Sequence, residues 1–169
     1  LEELLEITDH IVFNSERQLR KHGPRCRDAG ISVGLRLNPQ CSTQGDHALY
    51  DPCAPGSRFG VTLDKIPSDL LELVDGLHFH TLCEQGADDL ETTLKAVEAQ
   101  FGPYLHQVKW LNMGGGHHIT REGYDVDLLI SEIKRIRETY NLEIYIEPGE
   151  AIALNAGYLA TEVLDIVEN

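Results

Sequence analysis

The sequence predicts an α/β fold built on parallel strands, and three observations carry that prediction. Short β-rich runs alternate with helical stretches, no hairpin signal joins consecutive runs, and polar residues of catalytic type fall at the C-terminal ends of the runs. IVFN at 11–14 reads as a strand, after which Ser15 caps a helix expected to end at Gly23. VGLRLNP at 33–39 is the next strand, stopped by Pro39. Residues 40–60 are rich in Ser, Gly, Pro and Asp and are expected to form a long loop, a feature that in compact domains usually serves function or is mobile.

A helix follows at 67–74, with Leu70, Leu71 and Val74 as its apolar stripe. GLHFHTL at 76–82 is a strand, and 88–101 a helix with Leu90, Leu94 and Val97 on one face. VKWLNMGGG at 108–116 is a strand that runs into glycines. The strongest helix is 125–140, where Leu128, Leu129, Ile133 and Ile136 recur at helical spacing. EIYIEPG at 143–149 closes the strand series, and a mixed apolar run occupies 158–168. Two architectures accommodate this order, an open doubly wound sheet or part of a (β/α)8 barrel. A whole barrel takes about 250 residues and eight strands, and about five strands are found here, so on the barrel reading the chain is a portion of one.

The 169 residues carry 28 acidic and 14 basic side chains, a formal net charge of −14. With 41% hydrophobic and 25% charged residues the mixture is that of an ordinary globular domain, not of a disordered chain. Such a charge argues against nucleic acid and anionic membranes as partners, and permits a cationic small molecule. No run of about 18 apolar residues suggests a membrane span, and LEELLEITDH has no signal-peptide pattern. Cys26, Cys41, Cys53 and Cys83 form no CxxC pair, so four reduced thiols in a cytoplasmic protein are expected.

Three strand endings hold residues that can do chemistry. In GLHFHT, His78 and His80 are two apart in a strand and so share a face. There they can bind a metal, stack on a planar cofactor, or form hydrogen-bonded core histidines. In LNMGGGHH, Gly114, Gly115 and Gly116 let the backbone approach a ligand and turn N–H groups toward an anion such as a phosphate. The competing reading is a tight strand-to-helix turn. His117 and His118 follow, either as ligands or in the kind of loop position that is usually solvent-exposed. In YIEPGE, Glu147 ends a strand on the face shared with Tyr145 and Gly149, just before the rigid Pro148-Gly149 turn; the competing reading is a loop salt bridge. Arg36 lies within a strand, either inward with an anionic partner or outward on a helix-facing ridge. Trp110 reads most simply as core. Together the endings offer an anion cradle, a stacking ring and a carboxylate, which is the set that pyridoxal phosphate requires.

The combination FHTLCE, NMGGGHH and YIEPGE, with RLNP and SRFG upstream, resembles the barrel-type pyridoxal-phosphate decarboxylases of ornithine and diaminopimelate. It is most similar to the branch that acts on carboxynorspermidine and carboxyspermidine in polyamine biosynthesis. The resemblance covers the whole chain and implies an alanine-racemase-like (β/α)8 barrel of the TIM type. Residues 1–169 would supply about five of its β/α units. It also implies a cytoplasmic homodimer whose sites are shared between subunits. By resemblance, His80 stacks on the cofactor ring, Gly114, Gly115 and Gly116 hold the phosphate with Gly149 nearby, and Glu147 bonds the ring nitrogen. Cys83 stands where relatives carry a phosphate-contacting Ser, and Arg36 matches a strand Arg near the site.

The sequence departs from the family at one position. Relatives read EPGR, whereas here the fourth residue is Glu150, whose carboxylate suits the ammonium of a polyamine chain. The resemblance also places the cofactor-bearing Lys strand and the C-terminal β-domain outside this chain, so the segment alone is not expected to catalyse. No metal ligation is expected. The alternatives are a metal-dependent barrel hydrolase using His78, His80 and Glu147, and a decarboxylase-like binding protein without activity.

Overall fold

The computed structural model describes residues 1–45 and 51–167. Residues 46–50 of the expected long loop and Glu168 of the final apolar run lie outside the described residues. Five strands form one sheet: β1 (His10–Phe13), β2 (Ser32–Arg36), β3 (Gly76–His78), β4 (Trp110–Asn112) and β5 (Glu143–Tyr145). Every neighbouring pair is parallel and the order is sequential, β1-β2-β3-β4-β5. A doubly wound sheet reverses its order at a switch point. None occurs here, so the architecture is a parallel α/β arc consistent with part of a (β/α)8 barrel.

Among the described residues six α-helices accompany the strands: α1 (Glu2–Ile7), α2 (Glu16–Asp28), α3 (Leu70–Leu73), α4 (Ala87–Leu105), α5 (Val126–Tyr140) and α6 (Gly149–Ala153). Ser15 caps α2 by accepting from the Gln18 amide, and Asp125 caps α5 by accepting from Leu128. The expected stop of α2 at Gly23 is wrong, because the helix runs through Gly23 and Pro24 to Asp28. Gly23 is buried 3.3 Å from Leu19 Cδ1, where its ideal Cβ would lie, so it serves close packing rather than capping. The turn beyond the helix falls instead at Gly30, at φ +79°. Similarly, α4 passes Phe101 and Pro103 because Leu105 is fully buried and holds the last turn to the core.

Other elements are shorter than expected. The helix predicted at 67–74 reduces to α3, preceded by a 3-10 turn at Leu63–Lys65, and Leu71 of its apolar stripe is exposed. The short α1 was not anticipated. Residues 154–167 contain no helix or strand and are exposed. No helix among the described residues is long and apolar enough to cross a membrane. All four cysteines are free.

Side chains alternate cleanly across the sheet. Phe13, Val33, Leu35, Leu77 and Leu111 face the helices and join Leu19, Leu94, Phe101 and Ile136 in one core cluster. The other face carries Val12, Gly34, Gly76 and Trp110 in register, and one step further Arg36, His78, Asn112 and Tyr145. Trp110 is buried, as expected, and its place is on this second face, outside the helix-side cluster. Its indole lies across two glycines and donates from Nε1 to Ser32 Oγ at 2.8 Å. An added Cβ at Gly76 would meet Trp110 Cδ2 at 1.9 Å, and one at Gly34 would meet Cη2 at 2.3 Å. Both strands therefore need glycine to admit the ring. Gly76→Ala in the full-length protein is expected to cost about 1–3 kcal/mol in denaturant unfolding; an unchanged midpoint would contradict this packing.

Candidate active site

The second face reaches its functional residues where the strands end. Glu147 lies two residues beyond β5, and its backbone N–H donates to Gly114 O at 2.8 Å. Pro148 and Gly149 then turn the chain into α6, with the Gly149 amide bonded back to Glu147 O. Asn112 Nδ2 donates to Glu147 Oε1 at 2.7 Å, while Asn112 Oδ1 accepts from the Gly114 amide at 2.8 Å. Sequence reasoning missed Asn112. The available signal was an amide side chain at the end of an apolar strand, two residues after Trp110 and so on the same face.

Two imidazoles complete the surround of Glu147. His78 Nε2 lies 3.7 Å from Oε1 and His80 Nδ1 lies 3.7 Å from Oε2. The His80 imidazole beside it, joined by His78 and Asn112, pulls the Glu147 carboxyl down to about 2 against the opposing effect of burial. His78 moves the other way in charge preference. Burial pushes its imidazole down to about 4, Arg36 and His80 add to that, and Glu147 only partly offsets it. At neutral pH the site therefore holds an anionic Glu147 beside a neutral His78. The ring of His80 is half-exposed, with its Nδ1 also 3.4 Å from the Gly115 amide.

The glycine loop is wedged between the exits of β3 and β5. An added Cβ would meet Phe79 O at 2.4 Å from Gly114, Glu147 O at 2.5 Å from Gly115, and Leu82 O at 2.1 Å from Gly116. Gly114 and Gly116 also adopt φ of +71° and +81°. Packing alone thus requires all three glycines, but α5 begins only at Val126, so the segment is not a tight strand-to-helix turn. The same packing fixes the loop's shape, which is what an anion cradle needs.

The other sequence-predicted residues distribute around this centre. Cys83 is exposed beside the cradle, its amide 2.8 Å from where a Gly116 Cβ would sit. Gly149 opens α6 with free space around it. Arg36 lies on the helix-free face, but its direct partners are not anions: Nη2 donates to His80 O at 3.1 Å and the guanidinium sits 4.8 Å over the Phe59 ring. Burial lowers its pKa, with the Glu147 charge opposing. His117 is buried and His118 largely so, which corrects the expectation that both are solvent-exposed. His117 pairs with Gln85 of the segment after β3, and His118 Nε2 lies 2.5 Å from Glu150 Oε1.

Below Glu147, His10, Val12, Trp110, Asn112 and Tyr145 line a cavity of about 320 Å³. The arrangement fits the requirements of pyridoxal phosphate: an ionised carboxylate, an accessible imidazole face and a glycine loop of fixed shape adjoin one another. The ligand atoms of His78, His80 and Glu147 also all lie within 4.8 Å of one another, so the same cluster can receive a divalent cation.

No family model matches the chain. It is 42% identical, over 99% of its length, to a carboxynorspermidine/carboxyspermidine decarboxylase of Campylobacter jejuni. It is 39% identical, over 98%, to a carboxyaminopropylagmatine decarboxylase of Synechocystis. Among solved structures it is similar to the Campylobacter jejuni carboxynorspermidine decarboxylase complexed with norspermidine, at 41% identity and a TM-score of 0.82, with 99% of this chain and 42% of that one covered. The chain spans 43% of the length of these two curated relatives. The likeness read from FHTLCE, NMGGGHH and YIEPGE thus extends along nearly the whole chain.

The site's electrostatics set a pH dependence. His78 binds a proton less readily folded than unfolded, so its contribution to stability is complete above about pH 6.5 and is lost as pH falls toward about 4. Glu147, depressed to about 2, keeps its contribution down to about 4.5 and loses it toward 2. An NMR titration of the His78 ring in the full-length protein is expected to centre near pH 4. A midpoint at 6 or above would contradict the buried, neutral assignment.

Proposed function

We propose that this chain forms part of the active site of a pyridoxal-phosphate-dependent decarboxylase acting on carboxynorspermidine or carboxyspermidine. The observation that carries the reading is Glu147, held ionised at a strand end between two imidazoles and directly hydrogen-bonded to the glycine loop. The similarity to decarboxylases of carboxylated polyamines over 99% of the chain supports the same class.

In this reading Gly114, Gly115, Gly116 and Cys83 take the phosphate end, with Gly149 nearby, and the half-exposed His80 ring stacks against the cofactor plane. Glu147 faces the ring nitrogen and keeps a proton there. When bound, the group supplies an electron sink for the pair released as the carboxylate leaves. His78, neutral and buried behind Glu147, adds no positive charge that would compete for the carboxylate. Asn112 holds Oε1, while Oε2 lies beside the His80 imidazole. Arg36 fixes the backbone of His80 and so the height of its ring.

Glu150 is the proposed recognition point for a substrate ammonium. His118 engages one of its oxygens and fixes its direction, and the net charge of −14 agrees in sign with a cationic substrate. The cofactor-bearing lysine and the proton donor come, in this reading, from parts of the protein outside this chain. The assembly is a cytoplasmic homodimer with sites shared between subunits. The decarboxylase relatives give no support to a hydrolase or to an inactive binding protein.

Glu147→Gln in the full-length protein tests the reading, because it keeps the shape and removes the charge. Cofactor should remain bound, as followed by its absorbance, while decarboxylation falls by about 10²-fold or more. Unchanged turnover would overturn the assignment.

A further inference from the structure

Gln85 lies between the cradle residue Cys83 and helix α4, and its polar groups engage three loops at once. Its backbone N–H donates to Gly116 O at 3.0 Å and its carbonyl accepts from the His118 amide at 3.2 Å. That pairs its main chain with His117 as an isolated parallel bridge. Its side-chain Oε1 accepts from Gln44 Nε2 at 2.6 Å, Thr43 Oγ1 at 3.1 Å and the Cys83 amide at 3.4 Å. Its Nε2 donates to Thr43 O at 2.6 Å. Gln44 is buried and donates in turn to Thr81 O at 2.9 Å.

The chain segments after β2, β3 and β4 therefore meet on one residue. Of these contacts, two fall on the residues that flank the cradle, Gly116 and Cys83. The Gly116 carbonyl is tied to the main-chain N–H of Gln85, and the Gln85 side chain fixes where that N–H sits by engaging Thr43, the buried Gln44 and the Cys83 amide. By contrast, Glu147, His80, Asn112 and Gly114 hold one another by bonds in which Gln85 takes no part. Gly114 and Gly115 are thus tied to the Glu147 centre, whereas Gly116 and Cys83 are tied to Gln85.

We propose that Gln85 is a positioning residue for the phosphate cradle: it sets affinity for the phosphate of the cofactor and leaves affinity for the ring largely alone. The inference rests on the cofactor reading above. It accounts for a side chain that satisfies several loop groups at the mouth of the sheet, where exposed loops would otherwise be free to shift.

The test compares pyridoxal phosphate with pyridoxal, each titrated into the cofactor-free full-length protein and followed by absorbance. Unmodified protein should prefer the phosphorylated form by more than about tenfold. In Gln85→Leu that preference should fall by about tenfold, with pyridoxal affinity changed by no more than about twofold. Retained preference, or a parallel loss for both compounds, overturns the inference while leaving the cofactor reading intact. Should the leucine variant not fold, Gln85→Asn keeps an amide too short to span the loops and should lower the preference about threefold. An unchanged preference there overturns the inference equally. Absence of any preference in the unmodified protein would overturn the phosphate reading and this inference with it.

Discussion

The carboxylate of Glu147 is bonded by the Asn112 amide and flanked by the His78 and His80 imidazoles, and that surround exists only where β3, β4 and β5 leave the sheet within bonding reach of one another. The approach is close enough that no Cβ fits on the intervening loop. Each of Gly114, Gly115 and Gly116 would drive a side-chain carbon to 2.5 Å or less from a backbone oxygen of a neighbouring segment. The glycines thus bring Gly114 O to the Glu147 amide, and Asn112 spans the carboxylate and the loop. Charge, loop shape and carboxylate direction follow from one packing constraint. Any ligand of this site meets a centre already assembled, with little left to order on binding.

The rest of the sheet divides its labour by face. The helix side supplies cohesion through one continuous apolar cluster. On the opposite side, Gly34 and Gly76 leave room for the flat indole of Trp110, which closes the sheet beneath the polar layer of Arg36, His78, Asn112 and Tyr145. Burying His78 over this floor is what keeps it neutral, since desolvation disfavours the charged imidazole. A neutral His78 in turn leaves Glu147 as the dominant charge of the layer. Packing in the lower layer therefore fixes protonation in the upper one.

Strand positions and the three strand-end motifs were legible in the sequence because parallel strands bury one face and punctuate their ends with glycine and proline. The single-face placement of His78 and His80 followed from the two-residue period alone. What escaped was set by long-range contact. Gly23 looked like a helix end because nothing local reveals that it must pack on Leu19 and Val33. The burial of Trp110 is legible in the sequence, whereas the face on which it is buried is not. His117 and His118 looked exposed because their contacts with Gln85 and Glu150 come from segments distant in sequence. Asn112 and Gln85 carry no motif, and their importance lies entirely in what they join. The choice between a doubly wound sheet and a barrel arc also needed the strand order, which periodicity does not encode.

The central claim is that Glu147 keeps a proton on the nitrogen of a bound pyridine ring. The most direct measurement is the nitrogen-15 NMR spectrum of full-length protein loaded with cofactor labelled at that nitrogen, recorded near neutral pH. The account predicts the shielded resonance of a protonated pyridinium, with a directly bonded hydrogen. A deshielded resonance of the unprotonated ring, without that coupling, would contradict it.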